Sequence, residues 1–221
     1  MEAGQEYINM NHHSLTSRTL ARVAGFSYLV IFVAAIFANF FVLESILRAP
    51  LQTIQEDHLS VRFGILAFLI TVVFDVIVAW ALFELFRTHA LSGLSTLFRM
   101  MHAAIMGTAI FALPATLEMT NPEAILVQVA VFNTIWLIGL FFFGIHLILL
   151  GKILGKPKVI AVFLIIAGIM YMTDTAAHFL LVNYEKYGSL LLALVAVPSI
   201  LGEMSLAVWL LLQGGKKEST Q

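Results

Sequence analysis

Ile125-Leu-Val-Gln-Val-Ala-Val-Phe-Asn-Thr-Ile-Trp-Leu-Ile-Gly-Leu-Phe-Phe-Phe-Gly-Ile-His-Leu-Ile-Leu-Leu150 is the stretch on which the fold turns. It contains no Asp, Glu, Lys or Arg and is apolar on every face. As a helix rising about 1.5 Å per residue it exceeds the roughly 30 Å hydrocarbon core of a bilayer. A spanning strand would need only about 9–11 residues with alternating polarity, which this run lacks. Five further long, predominantly apolar stretches flank it, at 21–43, 63–86, 97–117, 159–182 and 190–212. The separators are short and punctuated. Asn121-Pro122 favours a helix restart, and Gly151, Gly155 and Pro157 read as a stop followed by a start. The sequence therefore predicts an all-α integral membrane protein of six transmembrane helices, with no loop long enough for a soluble domain. Residues 1–20 and 213–221 read as a short mobile N-terminus and a tail.

Composition supports the same class. Apolar residues make up 61% and charged residues 11% of the 221 positions, against roughly 25% charged in soluble domains. With no cysteine there is no disulfide scaffold, thiol nucleophile or thiolate metal site. A net charge of -1 provides no basic surface for nucleic acid. With six spans both termini share a side. Nine of the 12 cations fall on that side: Arg18, Arg22, Arg87, Arg99, Lys152, Lys156, Lys158, Lys216 and Lys217. Only Arg48, Arg62 and Lys186 fall on the other, so the positive-inside rule predicts cytoplasmic termini. The first span is longer than a signal-peptide core, and Glu2 and Glu6 precede it, so it is expected to remain as a helix.

Ionisable residues inside the spans carry the functional information, since each needs a partner or a cavity in hydrocarbon. Asp75 lies mid-span in the second segment and Glu203 near the middle of the sixth, both too deep to reach an interface. Arg99 and His102 lie in the third span, His146 in the fourth, and Asp174 and His178 in the fifth. Arg99 near a span end has two fates, snorkelling to the headgroups or turning inward to pair. The preferred grouping is Arg99 with His146 and Glu203, which requires spans 3, 4 and 6 to be neighbours. Asp174 and His178, at i and i+4, share a helix face and are the only metal candidates. Two ligands do not make a site, however, and no HExxH occurs. The isolated His12-His13 pair is assigned no role. Pro198 is expected to kink the sixth span and free the carbonyl of Leu194, with Ser199 placed to satisfy it. Three spans per half suggest an inverted repeat, pairing Asp75 with Asp174 and Pro114 with Pro198, though residue identity between the halves is poor.

Several segments, taken in order, resemble the uncharacterised bacterial membrane family known as domain-of-unknown-function family 4386. They are Ala21-Arg-Val-Ala-Gly-Phe-Ser-Tyr28, Arg62-Phe-Gly64 with Asp75, Phe98-Arg99, Phe143-Gly-Ile-His146, Ala167-Gly-Ile-Met-Tyr171 through Asp174, and Gly202-Glu-Met-Ser-Leu-Ala-Val-Trp-Leu210. The resemblance implies a six-helix protein of the bacterial plasma membrane and brings no reaction or substrate. It singles out Asp75, Arg99, His146, Tyr171, Asp174 and Glu203 as ligand- or ion-binding candidates. Asn39 and His178 depart from the family pattern, where an acid and an apolar residue are usual. The leading expectation is a non-enzymatic protein that binds a small ligand, ion or proton at a buried polar cluster, in transport or sensing. One alternative is an intramembrane enzyme with zinc on Asp174 and His178, or with haem near His102 and His146. Another is a structural or partner-stabilising subunit. No nucleophile elbow, phosphate loop or zinc signature occurs, and no cofactor is predicted. A six-helix bundle is small for a transport pathway, which leaves room for a homodimer.

Overall fold

The computed structural model describes residues 15–215. His12, His13, Lys216, Lys217 and most of the expected terminal segments lie outside the described residues. Six helices are long and apolar enough to cross a membrane: α1 (Ser17–Arg48), α2 (His58–Leu85), α3 (Ser92–Thr116), α4 (Pro122–Leu154), α5 (Lys158–Leu180) and α6 (Glu185–Leu212). A short helix, Pro50–Glu56, connects α1 to α2. Each long helix begins one to five residues ahead of the apolar run that marks it. Polar residues such as Arg18, Arg62 and Lys186 continue the helix beyond the apolar segment.

The helix ends follow local chemistry. Thr16 caps α1, accepting a hydrogen bond from the Thr19 backbone N–H at 3.2 Å. Asn121 caps α4, accepting from the N–H groups of Glu123 at 2.8 Å and Ala124 at 3.3 Å, with Pro122 at the first helical position. Gly155, at φ 61°, stops α4. Gly151, read from the sequence as part of that stop, instead lies inside α4. A Cβ there would meet the Ala161 carbonyl oxygen of α5 at 2.7 Å, so its role is close packing. At the far end of the chain the Arg18 guanidinium donates to three carbonyl oxygens at and just past the end of α6, those of Leu210 (3.2 Å), Leu211 (2.5 Å) and Gly214 (2.8 Å). It thereby fills acceptors that a helix C-terminus leaves open.

Each helix packs against its neighbours in sequence, and α6 returns to α1, closing a ring. The α4–α5 contact depends on two glycines that face one another. A Cβ on Gly144 would lie 2.6 Å from the Gly168 carbonyl oxygen and 2.8 Å from Met172. Small residues at helix contacts let backbones approach closely where lipid offers no hydrophobic drive between helices.

The apolar interior forms two clusters. One joins Ala21, Ala24, Leu82, Leu147, Leu150, Leu164, Leu206 and Leu210 from five helices at the end holding both termini. The other joins Val42, Ile46, Phe68, Ile110, Leu113, Ile125 and Phe132 at the opposite end, with Ile54 of the connecting helix, and takes nothing from α5 or α6. Both α1 and α6 contain a π-helical stretch, at Phe37–Leu43 and Ile200–Met204. The second follows Pro198, whose missing N–H disrupts the regular ladder. Ser199 Oγ donates to the Val195 carbonyl at 2.6 Å, one residue beyond the carbonyl of Leu194 expected from the sequence.

Gly144→Val should force α4 and α5 apart and cost about 1–3 kcal/mol, the usual range for overpacking. The expected result is a lower unfolding midpoint in detergent. Gly93→Ala, with nothing within 4 Å of its Cβ, should leave the midpoint in place.

Candidate functional site

Arg99 is the largest fully buried side chain, with 1% of its surface exposed. It therefore turns inward, and the snorkelling alternative falls away. Nη2 donates to Asp75 Oδ1 of α2 at 2.5 Å. Nη1 donates to the Tyr28 hydroxyl of α1 at 2.7 Å and to His146 Nε2 of α4 at 3.2 Å. The guanidinium carbon lies 4.8 Å from the Tyr28 ring centre and 5.3 Å from that of Phe143, within cation–π range of both.

Helical spacing presents these groups together. Ser95, Arg99 and His102 follow one another at i, i+4 and i+7 along one face of α3, and Gly139, Phe143 and His146 do the same on α4. The α3 and α4 faces meet through the two histidines. His146 Nδ1 lies 3.0 Å from the Ser95 carbonyl and 2.9 Å from its hydroxyl. His102 Nδ1 lies 3.0 Å from the Gly139 carbonyl, and its Nε2 lies 3.5 Å from Asp75 Oδ2. Both rings pack on Phe143, with centres 4.6 Å (His102) and 5.8 Å (His146) away. Every ring nitrogen of both histidines is engaged, so neither offers one to a haem iron.

Taking two charges out of water costs several kcal/mol per ion, and only close geometry with extra hydrogen bonds offsets it. The Arg99–Asp75 pair has that geometry on one side only. Arg99 Nε is buried without a hydrogen-bond partner among the described residues. Tyr171 of α5 meets the cluster through Phe143, edge-on at 5.6 Å, and neighbours Ser199 of α6. Glu203 sits on the π-helical turn of α6, half-buried, within electrostatic range of Arg99, Asp75 and Tyr28. It makes no hydrogen bond or ion pair with any described residue. The sequence grouping of Arg99 with His146 thus forms directly. Glu203 faces the same guanidinium but is not bonded to it, because α6 packs against α5 and α1.

Asp174 and His178 lie apart from this cluster. Tyr184, in the α5–α6 connection, donates its hydroxyl to Asp174 at 2.8 Å and packs against the His178 ring at 4.5 Å. No third His, Asp or Glu joins them as a metal ligand among the described residues. Asn39 turns its amide back on the Ala35 carbonyl at 2.9 Å. Tyr28 and Ser95 belong to the site without standing out in the sequence. A hydroxyl within an apolar span was the only signal, and many such hydroxyls bond their own helix, as Thr108 and Thr134 do here.

The fold and the cluster define a polytopic membrane protein with an arginine-centred polar layer inside a six-helix ring. Residues 23–214 match the family described as domain of unknown function DUF4386, and the chain belongs to it. An uncharacterized protein of Archaeoglobus fulgidus is 29% identical over 160 residues, covering 70% of this chain and 85% of that protein. No solved structure matches.

Asp75→Asn leaves a buried guanidinium without its counter-ion and should lower stability by about 3–5 kcal/mol. Asp75→Leu combined with Arg99→Met removes both charges and should cost markedly less. Unfolding in detergent checks both, and equal losses would mean the pair is not coupled. A second expectation concerns Tyr184. Burial, followed by its bond to the Asp174 carboxylate, pushes its phenol from 10.0 up to about 12. A folded-state value above the unfolded one contributes stability below pH 10 that is lost as pH rises toward 12. Tyr184→Phe should abolish that loss between pH 10 and 12 in an alkaline unfolding series.

Proposed function

We propose that this chain is a non-enzymatic protein of the plasma membrane whose Arg99 cluster binds a small ligand, ion or proton, in transport or sensing. The observation that carries the reading is incomplete satisfaction at the centre of the ring. All six helices send a polar side chain toward this layer: Tyr28, Asp75, Arg99, His146, Tyr171 and Glu203. Yet Arg99 Nε has no partner and Glu203 has no hydrogen bond to a described residue. A cluster serving only to hold helices together gains from pairing every buried polar group. A donor and an acid left open at one level, each needing a partner in hydrocarbon, suit a site that takes a further occupant.

Two features favour access. α5 and α6 add nothing to the apolar cluster at the end away from the termini, so that side of the polar layer is closed by fewer helices. The π-helical turn carrying Glu203 is a backbone form that occurs often at functional sites. The charge distribution supports an orientation with both termini in the cytoplasm. Arg99 is buried and does not mark an interface, which leaves eight cations against three.

The test compares a strain lacking the protein with strains restored by the wild-type chain, by Glu203→Gln and by Asp75→Asn with Glu203→Gln. Untargeted profiling of cell extract and medium is expected to show at least one solute, or the external pH, restored by the wild type and by neither variant. Full restoration by both variants at equal membrane levels would sink the reading.

A further inference from the structure

The two histidines of the cluster have partners of different kinds, and the difference locates a proton. His146 Nε2 faces Arg99 Nη1 at 3.2 Å, and a guanidinium only donates. Nε2 must therefore accept, and Nδ1 carries the hydrogen that reaches the Ser95 carbonyl at 3.0 Å. His146 is a neutral ring with both nitrogens satisfied. His102 has acceptors on both sides. Its Nδ1 lies 3.0 Å from the Gly139 carbonyl, which only accepts, so Nδ1 carries a hydrogen. Its Nε2 lies 3.5 Å from Asp75 Oδ2. A neutral ring would turn a bare lone pair toward a carboxylate oxygen in a buried site, which is repulsive. A second hydrogen between Nε2 and Oδ2 removes that repulsion.

The charges around it give the count. Facing the pair are Arg99 on α3, Tyr28 on α1, His146 on α4, Tyr171 on α5 and Glu203 on α6. With tyrosines and His146 neutral, one guanidinium stands against two carboxylates, Asp75 and Glu203. One proton brings the buried layer to neutrality, the condition a low-dielectric interior demands. We propose that the cluster is a proton-binding site with two alternative seats, one between Asp75 Oδ2 and His102 Nε2 and the other on the Glu203 carboxylate. With the first seat filled, Glu203 is ionised within electrostatic range of Arg99. With the proton on Glu203, His102 keeps only its Nδ1 hydrogen and Arg99–Asp75 is a plain ion pair. One proton moves and no bond other than O–H or N–H changes. The seats lie on different parts of the ring, α2 and α3 against α6, and Glu203 sits on the irregular turn without a donor to hold it. The inference rests on the reading of this cluster as a binding site, and names its occupant as the proton.

The experiment uses the full chain in lipid nanodiscs with nitrogen-15-labelled histidine, His102 being assigned by His102→Gln. At neutral pH the wild-type Nε2 signal of His102 should lie at, or partway to, the protonated position, while His146 shows a single Nδ1 hydrogen. Because Asp75→Asn strips Arg99 of its counter-ion, Glu203→Gln carries the decisive comparison. Removing that negative charge should empty the Asp75–His102 seat by about tenfold or more, read at neutral pH as the His102 Nε2 signal moving to the unprotonated position. A bare Nε2 in the wild type at neutral pH overturns the proposal, and so does a His102 Nε2 signal unmoved by Glu203→Gln. Either result alongside solutes that still depend on Glu203 would leave the binding reading standing. A confirmed proton with both variants silent in cells would do the reverse.

Discussion

A guanidinium enclosed by six apolar helices is the constraint around which this molecule is arranged. Arg99 cannot lose its charge and, at 1% exposure, cannot share it with water or headgroups. Its fork must be filled by protein, and the fillers come from three other helices: Asp75 from α2, Tyr28 from α1 and His146 from α4. Each filler needs its own support. Asp75 draws in His102, His102 takes the Gly139 carbonyl, and His146 takes Ser95. The polar layer thereby pins the relative depth of four helices, a specificity that uniform apolar packing in lipid does not provide. The two apolar clusters lie on either side of it.

The helices that contribute least to this pinning are α5 and α6. Their close contacts are made through small residues from mid-span to the end holding the termini: Gly144 against Gly168, Gly151 against Ala161, and Gly25 against Ala207. Toward the other end, α6 carries Pro198 and the π-helical turn, and its residues leave the shared core. Glu203 sits where regular packing gives way to irregular backbone. Backbone irregularity at membrane depth is tolerated where it is buried in protein or lines a cavity. It leaves an acid facing the cluster without fixing its partner.

Much of the site was legible as residue types. Asp75, Arg99, His146 and Glu203 stand out because each is costly in hydrocarbon, and the spans are otherwise so apolar that every exception is visible. The pairing was less legible. Glu203 looked the natural partner for Arg99 by depth, yet Asp75 holds it, because α2 packs directly against α3 and α6 does not. Tyr28 was hidden by its own amphipathic character, since a tyrosine in a span reads as filling or as an interface anchor. Asp174 and His178 matched the others in polarity. They belong instead to the α5–α6 connection with Tyr184, so Asp174 does not take the place in its half that Asp75 takes in the other.

The amino-acid sequence by itself determined that six helices form and roughly where each begins and ends. Those outcomes depend on length, apolarity and caps, all of them local along the chain. It also determined which side chains had to find partners, because that depends only on charge and depth. Which partners they found was decided by the ring order of the helices and the rotation of each about its axis. Rotation is invisible in spans that are apolar on every face, since no amphipathic stripe marks the inward side. Only the packed bundle shows that Arg99 turns to Asp75, Tyr28 and His146, that His102 faces acceptors at both nitrogens, and that Glu203 bonds to no described residue.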